Sequence, residues 1–215
     1  MSRRETKNSE KRDAGAEALS RAIEALRRGD VIVFPTETFY GLGADALSAV
    51  AVERVVSLKG RNPDHPLPVI IADAEMLREI VTEVPPVAER LMNYFWPGPL
   101  TLVLAAAKNL PAPLLNRAGQ IGVRISSHPI ATRLSRELGR PLTATSANPA
   151  GKEPARTVEE AMAYFSDKIA IFLDGGRLAG TTGSTVVEVA GNNLRTIREG
   201  EISLLELKKA LGDIR

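Results

Sequence analysis

Two short polar motifs, far apart in the chain, have the residue types needed to bind a polyphosphate. Lys59-Gly60-Arg61 places two cations, with one residue between them, at the predicted end of a helix. Ser146-Ala147-Asn148 places a hydroxyl and an amide at the same spacing after a predicted strand. Cations neutralise phosphate charge, and a guanidinium can bind two phosphate oxygens at once. Together the two motifs predict an enzyme that handles a nucleotide.

Further candidate binding residues lie where predicted strands end, which is where open α/β sheets usually carry their functional loops. These candidates are Thr36, His65, Arg124, Ser184 and Arg198. An arginine that ends an apolar strand could anchor a carboxylate or phosphate, but it could equally form a strand-end salt bridge. The hydroxyls could instead form local turns, and a lone loop histidine could be incidental. The residues alone leave these alternatives open.

The sequence argues against several other chemistries. It has no cysteine, which excludes disulfides, thiolate catalysis and cysteine zinc sites. The glycine-rich segment 35–43 lacks the Gly-Lys-Ser/Thr ending of a Walker loop and is not a dinucleotide fingerprint. Gly-x-Ser-x-Gly is absent, and with only His65 and His128 a serine triad has little support. Neither a His-x-x-x-His pair nor a compact acidic cluster indicates a metal site.

Length and composition predict a folded protein without a membrane span. The chain has 215 residues, of which 44% are hydrophobic and 25% are charged. No apolar run approaches the roughly 20 residues of a spanning helix, and segment 1–13 lacks the apolar centre of a secretory signal. We therefore expect a cytoplasmic protein. The net charge of +2 does not identify a nucleic-acid binder, but it allows a basic cleft for an anionic ligand.

Hydrophobic periodicity predicts a polar, disordered tail at 1–13 and one α/β domain at 14–215. Predicted helices cover 14–29, 50–59, 74–81, 87–95 and 129–138, with Asp73 as the cap of the third. Two more helices are predicted to begin at the capping boxes 157–160 and 203–206. Predicted strands cover 31–34, 67–72, 100–105, 121–125, 142–145, 169–173, 185–189 and 194–197. The two classes interleave without a fixed-period repeat, and the hairpin-like spacing of the last two strands indicates a mixed sheet.

The motifs, taken in order from about 18 to 211, resemble the YrdC/TsaC family of threonylcarbamoyl-AMP synthases. Each motif is weak alone, but the ordered set is highly specific. The family's signature tetrad is complete as Lys59, Arg61, Ser146 and Asn148. The other matching motifs are Phe34-Pro35-Thr36-Glu37-Thr38-x-Tyr40-Gly41-Leu42, His65-Pro66-Leu67, Trp96-Pro97-Gly98-Pro99-Leu100-Thr101, Gly122-Val123-Arg124, Asp174-Gly175-Gly176, Gly183-Ser184-Thr185 and Arg198-x-Gly200.

The resemblance implies a fold and a reaction. A single YrdC-like domain of the short form is expected, with a twisted mixed β-sheet flanked by helices around a basic cavity. L-threonine, bicarbonate and ATP would give threonylcarbamoyl-AMP and pyrophosphate. A downstream tRNA threonylcarbamoyl transferase complex would then modify adenosine 37 of tRNAs that read codons beginning with A, and the chain could itself bind tRNA.

Residue roles also follow from the resemblance. The residues implied to line the ATP side are Lys59, Arg61, Ser146, Asn148 and Arg198. Those implied to hold or border threonine are Thr36, His65, Arg124 and Ser184, with Arg124 the natural partner of its carboxylate. Mg²⁺ is expected on the ATP phosphates, held mainly by ATP and water. No side chain is an evident general base, so the tetrad is predicted to position substrates and neutralise charge.

One departure and two alternatives accompany the resemblance. Ser126 stands where family members often have proline, a change expected to loosen the loop that carries His128. A YrdC-like RNA-binding paralogue without synthase activity is one alternative, although it would not need a threonine-sized hydroxyl pocket. Carbamoyl transfer to another acceptor, as in hydrogenase maturation proteins, is the second. The sequence lacks the acylphosphatase and zinc-finger-like segments of those proteins.

Overall fold

Helices and strands alternate in the computed structural model, which describes residues 3–60, 65–191 and 193–212. The helices are α1 (Arg3–Arg27), α2 (Ala49–Lys59), α3 (Ala74–Ile80), α4 (Pro86–Phe95), α5 (Pro129–Leu138), α6 (Val158–Phe165) and α7 (Leu204–Leu211). The strands are β1 (Ile32–Phe34), β2 (Gly41–Gly43), β3 (Val69–Ile70), β4 (Leu100–Ala105), β5 (Gln120–Arg124), β6 (Leu142–Thr143), β7 (Thr145–Ser146), β8 (Thr185–Ala190) and β9 (Asn193–Arg198).

Two sheets organise these strands. The larger has the order β6-β3-β5-β4-β8-β9, with parallel pairs β3–β5 and β4–β8 and antiparallel pairs elsewhere. The smaller is antiparallel, in the order β1-β2-β7. The prediction of a mixed α/β sheet flanked by helices is confirmed, including the final β8–β9 hairpin. The second, smaller sheet was not expected, because its strands β2 and β7 are only two or three residues long.

Predicted and observed elements differ most at 169–173. This segment was expected to be a strand, but it forms one isolated parallel bridge, between Phe172 and Val33. The Val33 amide donates to the Ile171 carbonyl, and the Leu173 amide donates to the Val33 carbonyl. At the N-terminal end, α1 begins at Arg3, within the segment 1–13 for which the sequence predicts a disordered tail. The disorder of that segment stays a prediction.

The central strand β4 is buried on both faces, for two different reasons. Leu100, Leu102 and Leu104 belong to the main apolar core, which also contains residues of α3, α4, α6 and α7. The alternate residues Thr101 and Val103 line a cavity on the opposite face. A second apolar cluster joins α1 and α5 to β1. The sheet therefore separates the main core from a solvent-accessible site.

Local capping interactions set several helix ends as predicted. The Asp73 carboxylate accepts the backbone N–H groups of Glu75 and Met76 at the start of α3. Ser203 and Glu206 form a reciprocal capping box at the start of α7, which satisfies two otherwise unpaired donors. Within 3–60, 65–191 and 193–212, each helix is too short or too polar to cross a membrane.

Candidate active site

A cavity of about 670 Å³ lies between the larger sheet and the loops of the smaller one. Six of the predicted site residues line it, namely Thr36, His65, Arg124, Ser146, Ser184 and Arg198. Lys59 and Asn148 are buried and bonded to each other beside Ser146. Arg61 lies outside the described residues, so its role stays a prediction. The fold thus brings together residues that are up to 162 positions apart in sequence (36 to 198).

The floor of the cavity is one face of the larger sheet. Strand register places Val103 opposite Gly122 and Thr101 opposite Val186, and all four residues line the cavity. Gly122 keeps this floor low, because a Cβ there would lie 3.3 Å from the Thr101 methyl group and 3.4 Å from Pro68 Cβ. The side-chain alternation along a strand then also directs Arg124, two residues after Gly122, toward the cavity.

Lys59 fixes the loop that carries Ser146 and Asn148. Its ammonium donates to the Ser146 carbonyl at 2.7 Å, to the Asn148 carbonyl at 2.6 Å and to Asn148 Oδ1 at 3.1 Å. Gly60 ends α2 in a left-handed conformation, with φ at 56°, which suits glycine and lets the chain leave the helix directly after Lys59. Lys59 therefore organises the loop, and direct contact between its ammonium and ATP stays a prediction.

Arg124 forms a buried ion pair that the sequence analysis left open as an alternative. Its guanidinium lies 2.9 Å from Glu37 Oε1, with side-chain exposures of 6% and 12%. Burial lowers the pKa of Arg124 from its ordinary value, while the Glu37 carboxylate opposes that shift. Glu37 was not predicted as a site residue. The signal that could have indicated it is an acidic residue directly beside Thr36 in a motif rich in hydroxyls.

Ser126 is hydrogen-bonded on several sides within its loop, and whether it loosens that loop relative to proline stays a prediction. Its hydroxyl donates to Glu37 Oε2 and accepts the His128 backbone N–H at 3.1 Å. Its carbonyl accepts the Thr132 hydroxyl at 2.7 Å. These bonds join the segment after β5 to the first turn of α5. Burial lowers the pKa of the nearby His128, and Glu37 again opposes the shift.

Ser184 is held in a polar network on the sheet floor. Its hydroxyl oxygen accepts from Thr101 Oγ1 at 2.9 Å and from Arg198 Nη2 at 3.2 Å. Arg198 also donates to the Ser184 carbonyl from Nε and Nη2, at 3.1 and 2.7 Å. A hydroxyl that accepts two such bonds can still donate its own hydrogen to an oxygen of a ligand. Arg198 thus lines the cavity and anchors Ser184, whereas Glu199 accepts the Leu204 backbone N–H.

Thr36 shapes the turn between β1 and β2. Its hydroxyl donates to the Phe39 carbonyl at 2.7 Å and accepts the backbone N–H groups of Thr38 and Phe39. Thr38 Oγ1 lies 3.1 Å from Thr36 Oγ1, and both residues line the cavity. Because Thr36 already donates to a carbonyl, a direct role in threonine binding stays a prediction. Thr38 provides a second hydroxyl on the same part of the cavity lining, where a ligand could contact it.

Tyr40 lies at the end of this turn and bonds it to the segment 175–176. Its hydroxyl donates to the Gly176 carbonyl at 2.8 Å and accepts the Gly175 N–H at 2.9 Å. Gly175 must be glycine, because a Cβ there would lie 2.6 Å from the Pro35 ring. Burial, assisted by the Asp174 carboxylate, raises the pKa of Tyr40 to about 12. The phenol is thus protonated and can bond at neutral pH.

The raised pKa of Tyr40 predicts how the stability of the fold depends on pH. A tyrosine in the unfolded chain ionises near pH 10, so a raised folded pKa gives a contribution present below about pH 10. That contribution should be lost as the pH rises toward the folded value of about 12. Urea unfolding of the wild type and of Tyr40→Phe, at about pH 9 and at about pH 11, measures this contribution. The difference in unfolding free energy between the two proteins should be smaller at about pH 11 than at about pH 9. A pH-independent difference would contradict the assignment.

The cavity lining is basic. Arg124, Arg195 and Arg198 contribute to it, and no carboxylate does among the described residues. Arg195 is bonded to Glu188, whose carboxylate partly offsets the charge. In the same part of the chain, no three or more His, Cys, Asp or Glu side chains form a group that could hold a metal ion. The arrangement suits an anionic ligand that has both carboxylate or phosphate groups and hydroxyls.

The fold and cavity define an α/β protein with a basic, hydroxyl-lined binding site between two sheets. The family model Sua5_yciO_yrdC, described as "Telomere recombination", matches residues 24–200. The chain therefore belongs to the Sua5/YciO/YrdC family, which confirms the resemblance identified from the ordered motifs.

Individual relatives agree with this assignment. The chain is 39% identical over 190 residues to a threonylcarbamoyl-AMP synthase of Pyrococcus abyssi, covering 88% of this chain and 56% of the relative. The structure of P. abyssi Sua5 complexed with L-threonine superposes with a TM-score of 0.87 at 38% identity, covering 92% and 58%. E. coli YciO gives a TM-score of 0.80 at 30% identity, covering 88% and 92%. The chain thus spans just over half of the P. abyssi protein and most of YciO.

Proposed function

We propose that this chain is an L-threonylcarbamoyladenylate synthase, which makes threonylcarbamoyl-AMP and pyrophosphate from L-threonine, bicarbonate and ATP. The observation that carries the proposal is one cavity lined by Arg124 and Ser184 together with Ser146 and Arg198. The first two residues suit an amino acid with a carboxylate and a hydroxyl, and the last two suit a phosphate. The relative named as a synthase and the neighbour complexed with L-threonine support it.

In this proposal the protein mainly positions and neutralises its substrates. The threonine amine attacks bicarbonate with loss of water, or attacks CO₂ with loss of a proton, to give a carbamate. A carbamate oxygen then attacks the α-phosphorus of ATP, the bond to the bridging oxygen of the β-phosphate breaks, and pyrophosphate leaves. All three reactants are anionic or carry anionic groups, so fixed cations and N–H donors lower the cost of bringing them together. No side chain is assigned as general base.

Roles follow for the individual groups. Arg124 binds the threonine carboxylate, Ser184 donates to a threonine oxygen, and Thr36 and His65 border that side. Ser146 and Arg198 are assigned to the ATP side, and Lys59 and Arg61 contribute positive charge to it. Asn148, which is buried beside Ser146, is assigned to the same side. Mg²⁺ would be held mainly by the phosphates of ATP and by water, and it would neutralise phosphate charge there. The product passes to a cytoplasmic tRNA threonylcarbamoyl transferase complex for modification of adenosine 37.

Release of pyrophosphate tests the proposal directly. Purified protein with ATP and Mg²⁺ should release pyrophosphate only when both L-threonine and bicarbonate are present, because the carbamate forms from those two. Coupled detection of pyrophosphate, with each substrate omitted in turn, makes the measurement. Threonyl-adenylate formation would not depend on bicarbonate, so the omission series separates the two reactions.

Two results would overturn the proposal. Turnover of ATP that is independent of threonine would mean that the cavity serves another acceptor. Absence of turnover, together with tRNA binding that weakens steeply with salt, would favour an RNA-binding paralogue.

A further inference from the structure

Glu37 joins three parts of the site without lining the cavity itself. Its backbone belongs to the turn after β1 that also contains Thr36 and Thr38. One carboxylate oxygen accepts from Arg124 at 2.9 Å, and the other accepts from the Ser126 hydroxyl. Glu37 is therefore bonded both to the last residue of β5 and to Ser126, two residues further along the chain. A carboxylate that receives two such bonds has its position and rotamer well defined.

Arg124 needs such a partner because it is almost completely buried. Its side chain is 6% exposed, and Glu37 is the carboxylate with which it forms an ion pair in the described structure. A guanidinium has five N–H donors in a rigid plane, so a bond on one edge fixes the direction of the other edge. Because Arg124 lines the cavity and Glu37 does not, the edge away from Glu37 is the one available to a ligand.

We infer that Glu37 is a positioning residue for threonine, and that Ser126 assists it by fixing the second carboxylate oxygen. This inference rests on the proposed function, because it takes the threonine carboxylate as the ligand of Arg124. Glu37 sets the plane of the guanidinium, so that its remaining N–H groups meet a carboxylate placed above Gly122 on the sheet floor. It does not touch the substrate.

Hydrogen bonds of Ser126 hold the Glu37 carboxylate in its position. Its hydroxyl donates to Glu37 and accepts from the His128 backbone N–H, so it is itself anchored to the start of α5. The His128 ring in turn accepts the Ile130 N–H at 3.3 Å as the cap of that helix. The positioning path therefore runs from a helix terminus, through Ser126 and Glu37, to the arginine. Each step is a hydrogen bond between buried or half-buried groups.

Calorimetric titration of the full chain with L-threonine, and separately with MgATP, tests this role. Glu37→Ala should weaken threonine binding about tenfold or more, because one partner of a buried charged pair is removed. Glu37→Gln should remain within about threefold of the wild type, since its Oε1 can still accept from Arg124 and its amide can donate to Ser126. Affinity for MgATP should stay within about twofold in both variants. Glu137→Ala, at an exposed pair on α5, is the matched control.

The outcomes are distinct. A wild type that does not bind threonine would contradict the proposed function. A wild type that binds threonine, with Glu37→Ala binding it equally well, would overturn only the positioning role. Equal losses in Glu37→Ala and Glu37→Gln, or parallel losses for threonine and MgATP, would also overturn it. If Glu37→Ala does not fold, Ser126→Ala gives the same test, with an expected loss of about fivefold for threonine alone.

Discussion

Replacing Lys59 with methionine is expected to lower pyrophosphate release about a hundredfold, equivalent to ~3 kcal/mol, because the ammonium holds the loop that carries Ser146 and Asn148. Methionine retains the apolar stem but leaves the Ser146 and Asn148 carbonyls without their charged donor. When one partner of a buried charge-assisted hydrogen bond is removed, the other partner stays buried without a bond that compensates for its desolvation. The measurement is the initial rate of pyrophosphate release at saturating threonine and bicarbonate.

Stability separates the two roles considered for Lys59. Its bonds to the loop are intramolecular and present without substrate, so Lys59→Met should also reduce the free energy of unfolding. A lysine that only contacted ATP would leave the stability of the free protein unchanged. Lys208→Met is the matched control, because that lysine is exposed and lies in the last turn of a helix, as Lys59 does. Activity of Lys59→Met within about threefold of the wild type would contradict the loop assignment.

The sequence predicts this fold well where periodicity is strong. The predicted bounds of β4 and α5 coincide with the observed ones, because one is an uninterrupted apolar run and the other an amphipathic pattern starting at proline. The strand β2 was missed because its sequence, Gly41-Leu42-Gly43, reads as a turn and glycine is depleted in strands. Its pairing with β7, about a hundred residues later, is a tertiary property. Short strands of this kind depend on partners that local patterns do not contain.

The candidate site, like the fold, could be predicted only in part from the sequence. Six of the residues predicted from their chemistry line one cavity. The bonds from Lys59 to backbone carbonyls could not be predicted, because carbonyl groups are present at every residue and carry no sequence signal. The pairing of Glu37 with Arg124, which is 87 positions away, was also not predicted. Ion pairs between distant elements require the fold before they can be assigned.

Replacing Arg124 with methionine is expected to have the largest effect on threonine binding. The affinity for L-threonine should fall about a hundredfold or more, since a desolvated arginine–carboxylate contact is worth about 2–5 kcal/mol. The unfolding free energy should fall by about 3–5 kcal/mol, because Glu37 is left buried without its cation. Calorimetric titration with threonine and urea unfolding measure the two effects. Arg133→Met, at an exposed pair on α5, should change stability by less than about 1 kcal/mol.

A double variant distinguishes the two consequences of losing Arg124. Adding Glu37→Gln to Arg124→Met removes the unpaired buried charge, so part of the lost stability should return. Threonine affinity should not return, because the group that binds the carboxylate is still missing. Recovery of both quantities would mean that Arg124→Met had only unfolded the site, and that another residue binds the threonine carboxylate. Recovery of stability alone would assign to Arg124 the binding role and to Glu37 the role of its counter-ion.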